Sequence, residues 1–336
     1  MQQVPAFKCV RGTSFAVDAF GYGAIPGITA YFLTHFHSDH YGGLGRAWSH
    51  GPIYCSEVTA RLVALELRVA QEWLHPLPMA TWIQLQGCRV ILLDANHCPG
   101  SVMLLIENQG QLILHTGDFR ADEEGLLEAE RGMLMVHRCP DVIYLDNTYC
   151  SAAYDFPPQS ESIADCLRRV EGHVRGQPRL MPIRMAILIG TYLIGKERLA
   201  LALAKHFKTP IYCATPRKRQ ILETLQLPEL ELTADPHEAM VHLVGMNELN
   251  AESLSAWLDA HHPRFTHVLA LKPTGWTNTA SKTIVHYDHV KVSSKRRGVI
   301  SIMSVPYSEH SSHPELVLFL TQWPAPLIIP TVSSAG

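Results

Sequence analysis

Residues 34–40 read Thr34-His35-Phe36-His37-Ser38-Asp39-His40. An apolar stretch ends at Leu33 just before them and Gly42-Gly43 follows, so the segment reads as a tight turn leaving a strand. Imidazoles and a carboxylate crowded at a strand end are costly to bury without a common partner, because each desolvated polar atom loses its water. A divalent cation satisfies them together, and two His, an Asp and a further His at this spacing fit the N/O ligand set of zinc. From such a turn the side chains at 35 and 37 can point one way and those at 39 and 40 another, offering ligands to two adjacent metals. The competing reading is a His-rich surface turn.

Further ligands must then come from other strand ends. Asp94 to Gly100 reads as a strand followed by a turn carrying His97, and His115 to Arg120 as a strand followed by a turn carrying Asp118. Each is weak alone, since polar turn residues are common, but the order of the three motifs strengthens them together. The chain holds 19 histidines, and neutral imidazole is the commonest protein metal ligand.

A length of 336 residues allows one large domain or two ordinary ones. With 47% apolar and 18% charged residues, the chain can bury a sizeable core. No apolar run reaches the roughly 20 residues of a membrane helix; the best, Met185–Ile194, is broken by Gly190 and Thr191. Met1–Gly12 has no apolar core of a secretory signal, so none is expected. The eight cysteines include no Cys-x-x-Cys pair and read as reduced thiols. A net charge of −3 is unlike a broad DNA-binding surface, so any grip on nucleic acid must be local. The short basic runs Arg217-Lys218-Arg219 and Lys295-Arg296-Arg297 could supply it or be solvated surface.

In the first half, 28–33, 89–94, 102–107, 111–115 and 141–146 read as strands, and 56–69 as a helix with Ser56 as N-cap. After Phe156-Pro157-Pro158 helices and strands alternate. Helices are expected at 160–170, 196–206, 216–225, 251–261 and 314–322; strands at 185–191, 241–244, 267–272, 299–304 and 327–330. This alternation suggests βαβ units and a small parallel sheet. The polar, basic stretch 278–297 reads as a loop.

The motif His-x-His-x-Asp-His, a downstream His and a downstream Asp resemble the metallo-β-lactamase superfamily. The likeness extends to Asp18-Ala19-Phe20, Tyr144 to Cys150, Gly195-Lys196-Glu197, Pro273-Thr274-Gly275-Trp276 and Pro306 to Ser312. Together these resemble the DNA cross-link repair nucleases, β-CASP metallo-β-lactamases related to Artemis, over roughly residues 7 to 333. The resemblance implies an α/β fold: a metallo-β-lactamase αββα sandwich with an inserted β-CASP α/β domain. The expected division is 1–155 for the first part of the metallo-β-lactamase domain, 156–297 for the β-CASP domain and 298–336 for the final part.

The resemblance also implies roles. His35, His37, His97 and Asp118 match ligands of one zinc ion; Asp39, His40, Asp118 and His310 match those of a second, with Asp118 bridging and one or two ions bound. Asp39, His40, Asp118 and His310 are thereby the catalytic candidates. Asp18 and Asp146 match acidic residues that hydrogen-bond the ligand imidazoles, fixing tautomer and raising basicity; Asp146 could instead simply cap a strand end. Two metals would activate water and neutralise a phosphodiester's charge in an in-line hydrolysis.

The implied activity is a 5′→3′ exonuclease starting from a 5′-phosphate end of single-stranded or duplex DNA, acting in the nucleus in cross-link and double-strand break repair. No membrane partner is expected, and protein partners stay unknown. For the phosphate, Thr191, Tyr192 and Lys196 lie in a Gly-flanked strand–helix loop that could present N–H groups and an ammonium; relatives usually carry Ser where this chain has Leu193. Lys272, Thr274, Trp276 and Ser308 complete the DNA-binding candidates. Trp276 could stack on a base or simply anchor packing.

Rival readings are a structure-specific endonuclease of the Artemis type, an RNA-processing β-CASP endonuclease, a small-molecule hydrolase and a non-catalytic scaffold. The RNA-acting branch usually carries His where this chain has Val332, the β-CASP insertion argues against a small substrate, and a scaffold would not keep every ligand position filled.

Overall fold

The apolar runs near residues 91, 104, 113 and 143 lack polar alternation because both of their faces are covered. In the computed structural model, which describes residues 3–121, 138–175, 184–275, 287–290 (backbone) and 299–332, these runs are adjacent strands of one sheet. The chain divides into two compact units, residues 1–152 with 309–336, and residues 153–308.

The first unit holds two sheets. β1 (Phe15–Val17), β2 (Ala30–Phe32), β3 (Ile53–Ser56) and β4 (Leu74–Leu77) pair in that order, all parallel. β5 (Ile83–Leu85), β6 (Cys88–Asp94), β7 (Val102–Asn108), β8 (Gln111–His115) and β9 (Val142–Leu145) join the C-terminal β17 (Leu327–Pro330) in the order β17-β9-β8-β7-β6-β5. β9 lies parallel to both β8 and β17, so strands from before and after the inserted residues complete one sheet.

Successive side chains of these strands alternate between two cores. Val90, Leu92, Val102, Leu104, Ile106, Ile113, Val142 and Tyr144 meet Phe15, Val17, Ala30 and Phe32 of the smaller sheet. Ile91, Leu93, Met103, Leu105, Leu114, Ile143 and Leu145 pack on the other side against Leu316 and Phe319 of the helix His313–Gln322. That helix starts from a capping box between Ser312 and Glu315. Burying each such aliphatic side chain contributes about 1.5–3 kcal/mol, so the rims of this double layer are held rigidly.

The second unit is a seven-stranded sheet in the order β12-β11-β13-β10-β14-β16-β15. Its members are β10 (Met185–Thr191), β11 (Ile211–Cys213), β12 (Leu232–Thr233), β13 (Val241–Gly245), β14 (His267–Thr274), β15 (Tyr287–Val290) and β16 (Val299–Pro306). All pairs are parallel except β15 with β16. Helices Gln159–Arg175, Glu197–Phe207, Pro216–Leu225 and Ala251–His261 belong to this unit.

The expected loop 278–297 is therefore corrected at 287–290, where an edge strand satisfies its backbone groups by pairing with β16; Lys295, Arg296 and Arg297 lie outside the described residues. The expected helix 56–69 runs as α-helix over Glu57–Leu62 and as a π-helical turn over Val63–Leu67, and ends at Arg68 in the left-handed region, φ 56°. Against expected boundaries at 156 and 297, the units change at 152/153 and 308/309, since β16 pairs along its whole length with β14. Among the described residues no helix is long and apolar enough to cross a membrane.

Candidate metal centre

Seven imidazole and carboxylate side chains of the first unit meet where strands of its two sheets end. Asp18 follows β1, His35 and His37 follow β2, His40 lies in the short helix Ser38–Tyr41, His97 follows β6, Asp118 follows β8 and His310 precedes the helix His313–Gln322. The turns are tight enough to use the left-handed region: Asp18 has φ 51° and Asn96, beside His97, φ 52°. Gly117, beside Asp118, has φ 56°, and a Cβ there would sit 3.0 Å from the Cβ of Thr34, so only glycine lets the two turns close on each other.

The centre of the cluster is Asp118 Oδ2. His40 Nε2 lies 3.2 Å from it, His35 Nε2 3.8 Å, and His97 Nε2 and His310 Nε2 3.9 Å each. His37 joins through its other nitrogen, Nδ1, 3.2 Å from His97 Nε2. Three sets of donor atoms are each mutually within 4.8 Å: His35, His37, His97 and Cys98; His35, His40 and Asp118; His97, Asp118 and His310. The arrangement brings together all the sequence-derived ligands except Asp39, whose side chain is 77% exposed and reaches His40 Nε2 only at 3.6 Å. Asp39 stands at the rim of the groove rather than among the packed donors.

The outward nitrogens show how the rings are aimed. His40 Nδ1 is 2.7 Å from Asp18 Oδ2, His310 Nδ1 is 2.8 Å from Asp146 Oδ2, and His97 Nδ1 is 2.8 Å from the Glu309 carbonyl oxygen. The Thr34 hydroxyl donates to Asp18 Oδ2 at 2.8 Å, so its lone pair accepts from His35 Nδ1 at 2.9 Å. With Nδ1 so engaged, each of these rings turns Nε2 toward Asp118: as a lone pair in His35 and His97, and in His40 and His310, whose carboxylate partners favour the imidazolium, as the position whose proton a metal ion would displace. His35 Nε2 is buried with no hydrogen-bond partner. An orphaned buried acceptor among converging imidazoles and a carboxylate is what a divalent cation's ligand set looks like without the ion, so the residues fit a metal.

Charge follows the same geometry. Burial holds the His35 and His97 imidazoles well below their ordinary pKa, and neighbouring imidazoles push the same way. For His310 burial also pulls down, but the Asp146 carboxylate and its hydrogen bond outweigh it and push the ring up to about 9. His40 is likewise held well above its usual value, Asp118 and Asp18 outweighing burial. Burial would raise Asp118, yet His40 above all keeps it well below the carboxylate range. The site is therefore an anion surrounded by ring nitrogens. A groove of about 390 Å³ opens over it, lined among others by Lys8, Asp39, His40, Asp118, Thr148 and Val332.

Sequence reasoning did not single out Cys98, whose thiol sits beside three of the imidazoles; its position next to His97 was the available signal. The proposed phosphate residues lie in the second unit. Lys196, with φ 68°, is buried: its Nζ donates to the Pro273 carbonyl at 2.7 Å and lies 4.6 Å from the centre of the Tyr192 ring. The Gly195 N–H, one of the N–H groups of that Gly-flanked loop, is 2.9 and 2.8 Å from the two carboxylate oxygens of Glu197. Thr191 is buried under Lys218, whose Nζ donates to its hydroxyl at 2.6 Å, while Tyr192 is exposed. Lys272 is exposed, Thr274 half-buried and Ser308 buried, its carbonyl accepting from Gln159 Nε2 at 2.8 Å. Trp276 lies outside the described residues.

Known proteins resemble this chain. A family model described as DNA repair metallo-beta-lactamase matches residues 226–336. The DNA cross-link repair 1A protein of Homo sapiens is 41% identical over 98% of this chain and 30% of its own length. The DNA cross-link repair protein SNM1 of Arabidopsis thaliana is 40% identical over 99% of this chain and 66% of its own length. The 5′ exonuclease Apollo of Danio rerio is 32% identical over 97% of this chain and 52% of its own. The chain thus spans from under a third to about two thirds of the length of these relatives. A crystal structure of a protein of unknown function from Enterococcus faecalis V583 shares the fold, with a TM-score of 0.51 at 13% identity over 90% of this chain and 75% of that one.

Proposed function

We propose that this chain, which resembles the DNA cross-link repair proteins along nearly its whole length and carries a DNA repair metallo-beta-lactamase region, is a metal-dependent nuclease that hydrolyses DNA phosphodiester bonds. The observation that carries the reading is the single carboxylate oxygen of Asp118 with four imidazole Nε2 atoms between 3.2 and 3.9 Å from it. His35, His37, His97 and Asp118 would hold one divalent cation, and His40, Asp118 and His310 a second, with Asp39 at the rim completing it. Nitrogen and carboxylate donors of this kind suit zinc.

Bound there, divalent cations supply the Lewis acidity that makes a neutral-pH nucleophile of water and offsets the phosphate's negative charge. The chain's own groups do the rest. Asp118 stays ionised between the imidazoles and bridges them. Asp18 and Asp146 hold the His40 and His310 rings so that their Nε2 atoms face inward, an outer layer that typically supports metal affinity 10–100-fold. The groove of about 390 Å³ above the cluster would receive the strand while the packed sheet rims keep the donors fixed.

The finer reading is 5′→3′ exonuclease action from a 5′-phosphate end in nuclear cross-link and double-strand break repair. A relative named 5′ exonuclease supports the direction. Digestion of end-labelled single- and double-stranded DNA with defined 5′ ends, with and without a chelator, tests both levels. Metal-dependent release of mononucleotides from the 5′ end is expected. Chelator-resistant cleavage would remove the metal centre from the mechanism, and internal cleavage would replace exonuclease by endonuclease.

A further inference from the structure

We infer that Lys8 is a substrate-binding residue that contacts a backbone phosphate of the DNA strand beside the one being cut. The inference rests on the nuclease reading. Among the described residues lining the groove over the cluster, Lys8 is the only lysine or arginine. The other charged groups there include the carboxylates of Asp18, Asp39 and Asp118. Asp18 and Asp118 are engaged by imidazoles, and metal ions at the cluster would offset the charge of the phosphate being cut; for the next phosphate along the strand the largely exposed Asp39 is repulsive, and Lys8 is the cation this groove offers it.

Lys8 is placed to be that cation. Its Nζ donates to the Asp18 carbonyl oxygen at 2.5 Å, its one hydrogen bond among the described residues. An ammonium carries three donors, so two remain for a ligand. The side chain is half-buried, with Nζ 5.8 Å from the centre of the Phe7 ring, which limits hydration of the charge and strengthens its reach.

The connection to Asp18 matters most. With φ 51°, Asp18 turns its carboxylate toward Thr34 and His40 and its carbonyl toward Lys8. The same residue therefore aims a ligand imidazole and pins the ammonium, which sets the two a fixed distance apart. A strand whose scissile phosphate lies at the Asp118 cluster then presents a neighbouring phosphate to a preordered cation.

The alternative role for Lys8 is a brace that merely supports the Asp18 turn. Steady-state cleavage of single-stranded DNA across a series of KCl concentrations separates the two, using Lys8→Gln and Lys8→Arg; Lys8→Met keeps the stem where Gln disturbs the fold. Losing one phosphate contact should make the slope of log kcat/KM against log [KCl] shallower by roughly 0.7–1. It should also lower kcat/KM at low salt about tenfold, mostly through KM, as expected for one charge-assisted hydrogen bond. Lys8→Arg should keep the wild-type slope, and zinc content should equal wild type in every variant. An unchanged slope in Lys8→Gln or Lys8→Met, or a loss confined to kcat with reduced zinc content, overturns the assignment in favour of the brace. If the wild-type protein itself leaves DNA uncut, the nuclease reading fails first, a different result from an unchanged slope.

Discussion

Replacing Asp146 by Asn changes one atom and should weaken one metal site. Asp146 is buried. Its Oδ1 accepts from the Thr148 N–H at 3.0 Å and the Thr148 hydroxyl at 2.6 Å, so this side must stay an oxygen in the variant. The new amide NH2 then faces His310 Nδ1 and the Phe119 N–H, where Oδ2 accepted at 2.8 and 3.3 Å. A donor now meets His310, whose Nδ1 must become the acceptor, and the ring proton moves to Nε2. The tautomer that offers Nε2 to a metal ion is thereby disfavoured. Outer groups of this kind are worth 10–100-fold in metal affinity, or about 1.4–2.7 kcal/mol. The orphaned Phe119 N–H adds roughly 1–3 kcal/mol of lost fold stability. Competitive zinc titration against a chromophoric chelator should show the site built on His40, Asp118 and His310 weakened by that factor, the site built on His35, His37 and His97 unchanged, and kcat lowered in step. Two wild-type affinities in a folded Asp146→Asn protein would refute the orientation argument.

Other consequences can be checked separately. The Arg120 guanidinium is fully buried and donates to Glu315 Oε1 through Nε at 3.2 Å and Nη2 at 2.8 Å, so Arg120→Ala strands Glu315. The expected cost is about 3–5 kcal/mol, a fall of roughly 10 °C in melting temperature; a change under about 1 kcal/mol would contradict it. His242 is buried and held down to about 4, chiefly by burial. The unfolded chain therefore binds this proton more tightly, so stability is complete above about 6.5 and falls as pH drops toward 4, by roughly 3 kcal/mol in all. His242→Phe should flatten the pH dependence of urea unfolding in that window, and an unchanged profile would reject the assignment. Lys196→Ala should lower activity on 5′-phosphorylated DNA far more than on 5′-hydroxyl DNA; equal loss on both rejects a phosphate role for this loop.

The cluster at 35–40 was legible because its chemistry is local: crowded donors beside a strand end announce a shared ligand. His310 and Asp146 were legible only through likeness to relatives, since their meaning lies in a contact across 164 positions of chain. Strand length decided what could be read of the fold. The seven-residue runs of β6 and β7 stand out, whereas β1, β5 and β11, three residues each, are too short to show a period. The loop before Glu197 shows the limit of a motif. Glycine, lysine and a helix start suggest an anion site, but only coordinates reveal that the Glu197 carboxylate already takes the Gly195 N–H, so a phosphate contact by this loop falls to the Lys196 ammonium.

Anomalous diffraction at the zinc edge from crystals of the zinc-loaded protein tests the metal centre most directly. Two peaks are predicted, roughly 3.5–4 Å apart, each about 2.0–2.2 Å from its ring nitrogens and carboxylate oxygens, with Asp118 between them and His310 bound to the second. Zinc absent from this cluster, or bound with Asp118 or His310 outside coordination reach, would contradict the account.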